Sequence, residues 1–229
     1  MKQKNGLMAI ILSGAIVLSG CSSMSQATKG GLIGSGAGAA IGAGVGALIG
    51  KNAKSAAIGA GIGTAVGATT GVIIGKKMDK ARAQAAAIEG ARVDSIRDAN
   101  NLKALKVTFD SGILFELNKS TLSESAKAAL TKFSKILVDN PTMDIAIMGH
   151  TDNTGKPELN QKLSQDRAQA VADFLKSKNV LSSQFKEIIG KSFSEPVADN
   201  ATKAGQAANR RVEVYMYASE KMIKDAEAK

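Results

Sequence analysis

The sequence predicts a two-layer α/β sandwich of order βαβαββ over residues 105–220, preceded by a glycine-rich helical hairpin over residues 30–75. Two segments that repeat apolar residues every three or four positions alternate with short segments of strand character, which predicts the sandwich. Glycine recurs at every fourth position in two uncharged stretches, which predicts the paired helices. Aromatic residues make up only 3% of the chain, so we expect a single small core.

The N-terminus has the order of an export signal. Lys2 and Lys4 precede an apolar run over 6–17, and small residues follow, so residues 1–20 are predicted to be a signal peptide. The only cysteine, Cys21, comes next in the run LSGC, which resembles the lipobox of bacterial lipoproteins. That resemblance implies cleavage before Cys21 and acylation of its side chain. The alternative is an inert cysteine that happens to follow the cleavage site.

Residues 21–29 are then expected to form a short lipidated N-terminus. Stable anchoring needs at least two acyl chains, and the three that lipoproteins carry would hold the chain firmly in a membrane. Ser22 rather than Asp follows the cysteine. In lipoproteins of this type that choice implies the outer membrane, with the C-terminal domain in the periplasm.

Two uncharged segments of 21 residues, 30–50 and 55–75, form an internal repeat. Their glycines keep a strict four-residue spacing, at 30, 34, 38, 42, 46 and 50 in the first copy and at 59, 63, 67, 71 and 75 in the second. Such rows let two helices approach closely, whereas isolated helices this rich in glycine are unstable in water. Each copy would measure about 31 Å, close to the thickness of a bilayer's hydrocarbon core. We expect a hairpin that inserts into, or lies against, the membrane, with a flexible spacer as the alternative.

The rest of the chain divides into a linker and one domain. Residues 76–104 are charged and alanine-rich without a clear apolar stripe, which favours a partly helical linker. The domain elements expected from periodicity and turn signals are a strand at 107–115 broken at 110–112, a helix at 122–137, a strand ending at 149–152, a helix at 160–178, a strand at 185–189, a strand at 211–216 and a tail at 221–229.

One cation stands on the apolar face of the second domain helix. Arg167 lies four residues after Leu163 and four before Val171, which belong to the predicted inward stripe with Ala170 and Phe174. A buried guanidinium is costly without a partner, so Arg167 either faces a cleft or pairs with a carboxylate. Asp152, in a polar loop at the end of a strand, is expected to share that cleft.

Three motif blocks occur in order: GHTDNTG at 149–155, then Asn160, Leu163 and Arg167 on the helix, then NRRVE at 209–213. Together they resemble the OmpA C-terminal-like family over about residues 105–218. The lipobox and the glycine repeat resemble one lipoprotein type in particular. The resemblance implies non-covalent binding of peptidoglycan without any cofactor.

In that family the matching Asp and Arg hold the free amino and carboxylate groups of diaminopimelate in the peptidoglycan stem peptide. The resemblance therefore assigns Asp152 to the amine and Arg167 to the carboxylate, with Thr151, Asn160 and Leu163 shaping the pocket. An ammonium requires an anion and a carboxylate suits a bidentate guanidinium, so the residue types agree. The alternative is a plain salt bridge between Asp152 and Arg167.

Other conspicuous residues favour structural roles. Asn209, Arg210 and Arg211 open the last strand and are expected to anchor the loop before it. His150 is the only histidine, and a lone histidine makes neither a metal site nor a catalytic dyad.

Charge and motifs exclude several functional classes. The net charge is +10, but residues 105–220 hold 15 basic and 14 acidic residues, so the surplus lies in the N-terminal region and indicates an anionic membrane surface rather than nucleic acid. No HExxH, GxSxG or P-loop motif is present, and no enzyme activity is expected. Ion conduction of the flagellar-stator kind would need an ionisable group inside the membrane span, and residues 30–50 and 55–75 contain none. The expected function is a membrane-to-peptidoglycan tether. The alternative is an oligomeric or pore-like membrane scaffold built from the glycine repeat.

Overall fold

The computed structural model describes residues 67–98, 100–116 and 119–229. The predicted signal peptide, Cys21 and the predicted hairpin up to residue 66 lie outside these residues. Within the described part of the chain, no helix combines the length and the apolar character needed to cross a bilayer.

The described residues form five strands and six helices. The strands are β1 (Ala91–Arg97), β2 (Lys103–Asp110), β3 (Met143–Gly149), β4 (Phe185–Gly190) and β5 (Arg211–Ala218). The helices are α1 (Ala68–Ala86), α2 (Ser111–Leu114), α3 (Glu124–Val138), α4 (Pro157–Ser177), α5 (Lys203–Asn209) and α6 (Glu220–Glu227). A 3-10 turn at Ser182–Gln184 precedes β4.

The strands form one sheet in the order β1-β2-β5-β3-β4, in which only β3 and β4 are parallel. Helices pack on one face of this sheet. Phe109 of β2 meets Phe133 of α3 edge to face, with ring centroids 5.6 Å apart, at the centre of the core. The predicted α/β sandwich is confirmed, because β2, α3, β3, α4, β4 and β5 follow one another in the expected βαβαββ order.

The prediction of a linker over residues 76–104 is wrong, although the partial helix expected there is present over residues 76–86. Helix α1 crosses the predicted boundary at residue 75 without a break, and Ile74, Met78, Ala81 and Ala85 along one side of it are fully buried in the core. This stripe escaped notice in the sequence because alanines supply half of it. The final turns of the second glycine repeat, from Thr70 onward, therefore pack on the domain rather than in a hairpin.

The rest of the predicted linker forms strand β1. It pairs with β2 in antiparallel register from Ala91 opposite Phe109 to Arg97 opposite Lys103. Val93 packs against the core from this edge of the sheet. The folded domain consequently includes residues from 68 onward and does not begin at residue 105.

The predicted tail over residues 221–229 is also wrong. Ser219 caps α6 by accepting a hydrogen bond from the backbone N–H of Met222 at 3.1 Å. Met222 and Ile223 are buried in the core cluster that also contains α1. Eight residues are too few to display a clear helical period in the sequence.

Truncating Met78 tests whether α1 belongs to the domain. We expect Met78→Ala to lower the free energy of unfolding by about 2–4 kcal/mol, because the side chain is fully buried. Val72→Ala on the same helix is the matched control, since Val72 is 57% exposed and its truncation should change stability by less than about 0.5 kcal/mol. Urea unfolding followed by circular dichroism measures both. Equal, small effects would show that α1 does not stabilise the domain.

Candidate ligand-binding site

A cavity of about 650 Å³ opens at the end of the sheet where β2 and β3 finish and β5 begins. Because β5 runs antiparallel to β2 and β3, the last residues of those two strands lie beside the first residues of β5. Helices α2, α4 and α5 and the loop that follows β3 contribute the remaining walls. The lining includes Phe115, Glu116, Thr151, Asp152, Thr154, Asn160, Leu163, Arg167, Lys203 and Arg210. All five pocket residues predicted from the sequence thus line a single cavity.

Asp152 is buried, and different partners hold its two carboxylate oxygens. Oδ1 accepts hydrogen bonds from the backbone N–H of Thr154, at 2.9 Å, and from the Thr154 hydroxyl. Oδ2 accepts one from Nη1 of Arg210 at 2.5 Å. Burial alone would raise the pKa of Asp152, but the bonds from Thr154 and Arg210 outweigh it and hold the pKa below its ordinary value of 3.8. Asp152 is therefore an oriented anion at neutral pH.

Arg167 is only 3% exposed, yet its guanidinium is poorly satisfied. Nε donates to the backbone carbonyl of Lys119 at 3.1 Å, and Cζ lies 5.2 Å from the centroid of the Phe115 ring. Nη1 is buried and has no hydrogen-bond partner among the described residues. Burial and the nearby charge of Arg210 lower the pKa of Arg167, whereas Asp152 opposes that shift. A buried guanidinium with an unused donor is costly unless an anion occupies the cavity.

Asp152 and Arg167 do not pair with each other. Within the described residues, the cation that contacts the Asp152 carboxylate is Arg210. The interpretation of Asp152 and Arg167 as a plain salt bridge is therefore wrong.

Arg210 is a site residue that the sequence interpretation missed. It was grouped with its neighbours as a structural residue, and those neighbours do have structural contacts. Asn209 is fully buried and binds the preceding loop through the backbone N–H groups of Val197 and Ala198. Arg211 is buried and donates to Glu213 at 2.8 Å. Successive residues of extended chain point to opposite sides, so one of the two arginines had to face the cavity when the other did not.

The remaining predicted residues shape the cavity wall. Asn160 donates from Nδ2 to the carbonyl of Thr154 at 2.9 Å, which ties α4 to the loop that carries Asp152. Thr151 donates its backbone N–H to Ser192 at 2.9 Å, and its buried hydroxyl has no partner within the described residues. Leu163 is half-buried at the cavity rim.

Two glycines set the distance between α4 and the sheet. A Cβ on Gly149 would lie 2.1 Å from the carbonyl oxygen of Ser164, and one on Gly190 would lie 2.4 Å from the backbone nitrogen of Gln165. This close approach turns α4 so that its small residues face the sheet. The buried stripe is Asn160, Ser164, Arg167, Ala168, Val171, Ala172 and Leu175. The predicted stripe was therefore partly wrong, since Leu163, Ala170 and Phe174 are only half-buried at its flanks.

Comparison with known proteins identifies the family. Residues 114–210 match the model of the OmpA family, and residues 1–79 match that of the YMGG-like Gly-zipper. Over 220 residues the chain is 34% identical to Probable lipoprotein YiaD of Escherichia coli strain K12, an alignment that covers 93% of this chain and 98% of YiaD. The chain belongs to the OmpA family. YiaD represents the lipoprotein type that the lipobox and glycine repeat had indicated.

Two further relatives define how far the OmpA-family likeness extends. The chain is 36% identical to Outer membrane porin F of Pseudomonas aeruginosa over 126 residues, which is 54% of this chain but only 36% of that porin. The structure of the cell wall anchor of the T6SS from Pseudomonas aeruginosa superposes with a TM-score of 0.52 and 28% identity. That superposition covers 62% of this chain and 97% of the anchor.

Behind the cavity of this OmpA-family domain lies a buried polar network centred on Glu213. Its carboxylate accepts hydrogen bonds from Arg211 and, at 2.6 Å, from the Tyr215 hydroxyl, and Nε2 of His150 lies 3.6 Å away. Burial raises the pKa of Glu213, but His150 and Arg211 outweigh this and lower it below 4.5. His150 is absent from the cavity lining, which agrees with the structural role predicted for it. The described residues contain no cluster of three metal-ligating side chains.

The lowered pKa of Asp152 predicts how pH affects this OmpA-family site. A carboxyl whose pKa is lower in the folded state contributes stability above its unfolded value, and that contribution disappears as pH falls through the folded value. We expect Asp152→Asn to lower the free energy of unfolding by about 1–2 kcal/mol at pH 7. The difference should persist to about pH 5 and shrink only below about pH 4. Urea titrations of both proteins across this range measure it, and a decline that begins at pH 6 would contradict the assignment.

Proposed function

We propose that this protein is a lipid-anchored tether that binds peptidoglycan non-covalently, through the diaminopimelate side chain of a stem peptide. The observation that carries the proposal is the unsatisfied, buried guanidinium of Arg167 in the same cavity as the anion of Asp152. A ligand carboxylate would give Nη1 of Arg167 a partner, and a ligand ammonium would be attracted to the Asp152 carboxylate.

The charges of the cavity favour this zwitterionic ligand. Three cations, Arg167, Lys203 and Arg210, line it with two carboxylates, Asp152 and Glu116, so the side chains of the cavity carry a surplus of one positive charge. A carboxylate that binds Arg167 would offset the repulsion between Arg167 and Arg210. The ligand ammonium would then bind Asp152 together with Arg210, or would displace Arg210 from the Asp152 carboxylate. Both contacts are charge-assisted hydrogen bonds, which are stronger than neutral ones.

The proposed membrane anchor is supported by the sequence and by the names of the relatives. YiaD is named as a lipoprotein, porin F as an outer membrane protein, and the T6SS component as a cell wall anchor. Acylation of Cys21 would fix the chain in the outer membrane and leave the domain in the periplasm. The Gly-zipper match over residues 1–79 adds a segment suited to close helix packing beside that anchor.

We further propose that the protein does not alter its ligand chemically. The cavity offers an oriented carboxylate and guanidinium groups, which hold charged ligands. Among the described residues, the hydroxyls of Ser111 and Thr151 have no hydrogen-bond partner, and the hydroxyl of Thr154 donates to the Asp152 carboxylate. His150 faces Glu213 instead, and burial lowers its pKa.

Co-sedimentation with purified peptidoglycan sacculi tests the proposal. The mature chain in mild detergent, and a fragment that begins at residue 67 so as to include α1 and β1, should both pellet with sacculi. Asp173→Asn, on the exposed side of α4, should pellet like the wild type, whereas Asp152→Asn should stay in solution. If the wild-type chain itself stayed in solution, the peptidoglycan proposal would be wrong.

A further inference from the structure

Four basic side chains lie on α1 immediately after the second glycine repeat. Lys76, Lys77, Lys80 and Arg82 are all exposed, and we refer to them as the basic patch. They follow the last repeat glycine, Gly75, within two turns of the same helix.

The basic patch is not neutralised by its own chain. No aspartate or glutamate precedes Asp79 anywhere in the sequence. Asp79 is the acidic residue within the patch segment, and its carboxylate contacts Lys103 of β2. None of the four patch residues forms a salt bridge within residues 67–98, 100–116 and 119–229. Their charge is therefore available to an external anion.

The fold separates the basic patch from the ligand cavity. Asp79, inside the patch segment, contacts Lys103 at the first residue of β2. The cavity lies beyond the last residue of that strand, where Ser111 lines it. Eight extended residues span roughly 24 Å between first and last Cα, so patch and cavity lie towards opposite ends of β2.

The chain that leads into the patch indicates what the anion is. Thr70 already packs on the domain, so a membrane-associated part of the second repeat has to end before it. Lys76 follows six residues later, roughly 9 Å along the helix, which is about one Debye length at physiological ionic strength. A cluster of basic residues directly beside a membrane-associated helix is suited to anionic lipid headgroups.

We propose that the basic patch binds the phosphate-bearing headgroups of anionic phospholipids in the anchoring membrane, and so directs the cavity away from that membrane. The inference rests on the proposed tether, since it needs the chain to be membrane-anchored. It adds an orientation: α1 holds one end of the domain at the lipid surface, and the stem-peptide cavity faces the cell wall. A flexible linker would impose no such orientation.

Lysine footprinting on the reconstituted, acylated full-length protein tests this. The protein is placed in vesicles of phosphatidylcholine alone or with 30 mol% phosphatidylglycerol, and acetylation rates of individual lysines are measured by mass spectrometry. Lys76, Lys77 and Lys80 should react about five- to tenfold more slowly in the anionic vesicles, and high salt should abolish the difference. The exposed lysines Lys132 and Lys178 serve as internal controls whose rates should not change. Equal rates for the patch lysines in both vesicles would overturn the proposal.

A variant separates the patch from the anchor. In the K76Q/K77Q/K80Q/R82Q protein, a thiol-reactive fluorophore on Ala204→Cys, an exposed position of α5 outside the cavity lining, should lie nearer to the lipid surface than in the wild type. Energy transfer to labelled anionic lipid measures this distance. The K132Q/K162Q/K178Q protein, with the same fluorophore, should match the wild type. An unchanged distance in the K76Q/K77Q/K80Q/R82Q protein would show that the basic patch does not orient the domain. Sacculus binding by the same preparations reports separately on the tether, and inorganic phosphate at equal charge concentration should not protect the patch lysines.

Discussion

Arg167→Met is expected to weaken sacculus binding roughly 100-fold or more while leaving the domain as stable as the wild type, or more stable by about 1–2 kcal/mol. The loss of binding follows from the guanidinium that would hold the ligand carboxylate. The gain in stability is expected because the guanidinium is buried in the ligand-free protein and its Nη1 has no partner among the described residues. A methionine fills similar space without a charge to desolvate.

This opposite response distinguishes a binding residue from a structural one. If Arg167 served mainly to stabilise the fold, its replacement would reduce both the stability of the protein and its binding to sacculi. Arg92→Met, an exposed arginine on β1, should change neither property. Sedimentation with sacculi and urea unfolding of the same samples provide the two measurements. A fall of several kcal/mol in the stability of Arg167→Met would show that Arg167 supports the fold instead.

Asp152→Asn is expected to weaken binding by about 50- to 100-fold, because an amide cannot neutralise the ligand ammonium. Arg210 would lose its partner in the same variant, so a modest loss of stability should accompany the loss of binding. Arg210→Gln is the variant to compare with Asp152→Asn. It leaves Asp152 ionised and available, so it should bind sacculi far better than Asp152→Asn does.

Asp173→Asn controls for the removal of one negative charge, since Asp173 is exposed on α4. Fluorescence-detected binding of a soluble stem peptide gives the affinities directly. Equal affinities for Asp152→Asn and the wild type would remove Asp152 from the site, whatever happens to Arg167.

The sequence was sufficient to predict the core sandwich and five of the residues that line the cavity. Arg167 stood out because a cation on an apolar helix face has to be explained by a cleft or a partner. Asp152 followed from its place at the end of β3. Their actual relation could not be predicted, because only the three-dimensional arrangement shows that Arg210 holds Asp152 and that Arg167 is left partly unsatisfied.

The errors have physical causes in the size of the side chains involved. Helix α1 buries Ala81 and Ala85 beside Ile74 and Met78, and alanines do not mark an apolar stripe in a charged segment. Helix α4 faces the sheet with Ser164 and Ala168, because Gly149 and Gly190 allow backbone contact there. Periodicity reports where bulky apolar residues lie. It does not report where two backbones pack closely through small ones.

Isothermal calorimetry with two stem peptides that differ only at the third residue tests whether Arg167 binds the side-chain carboxylate of diaminopimelate. One peptide carries diaminopimelate with its free amine and carboxylate, and the other carries lysine, which has the amine alone. We expect the diaminopimelate peptide to bind at least 50-fold more tightly to the wild type, and Arg167→Met to remove this preference. Equal affinity of the wild type for both peptides would contradict the assignment of Arg167 to the ligand carboxylate, and with it the proposed mode of binding.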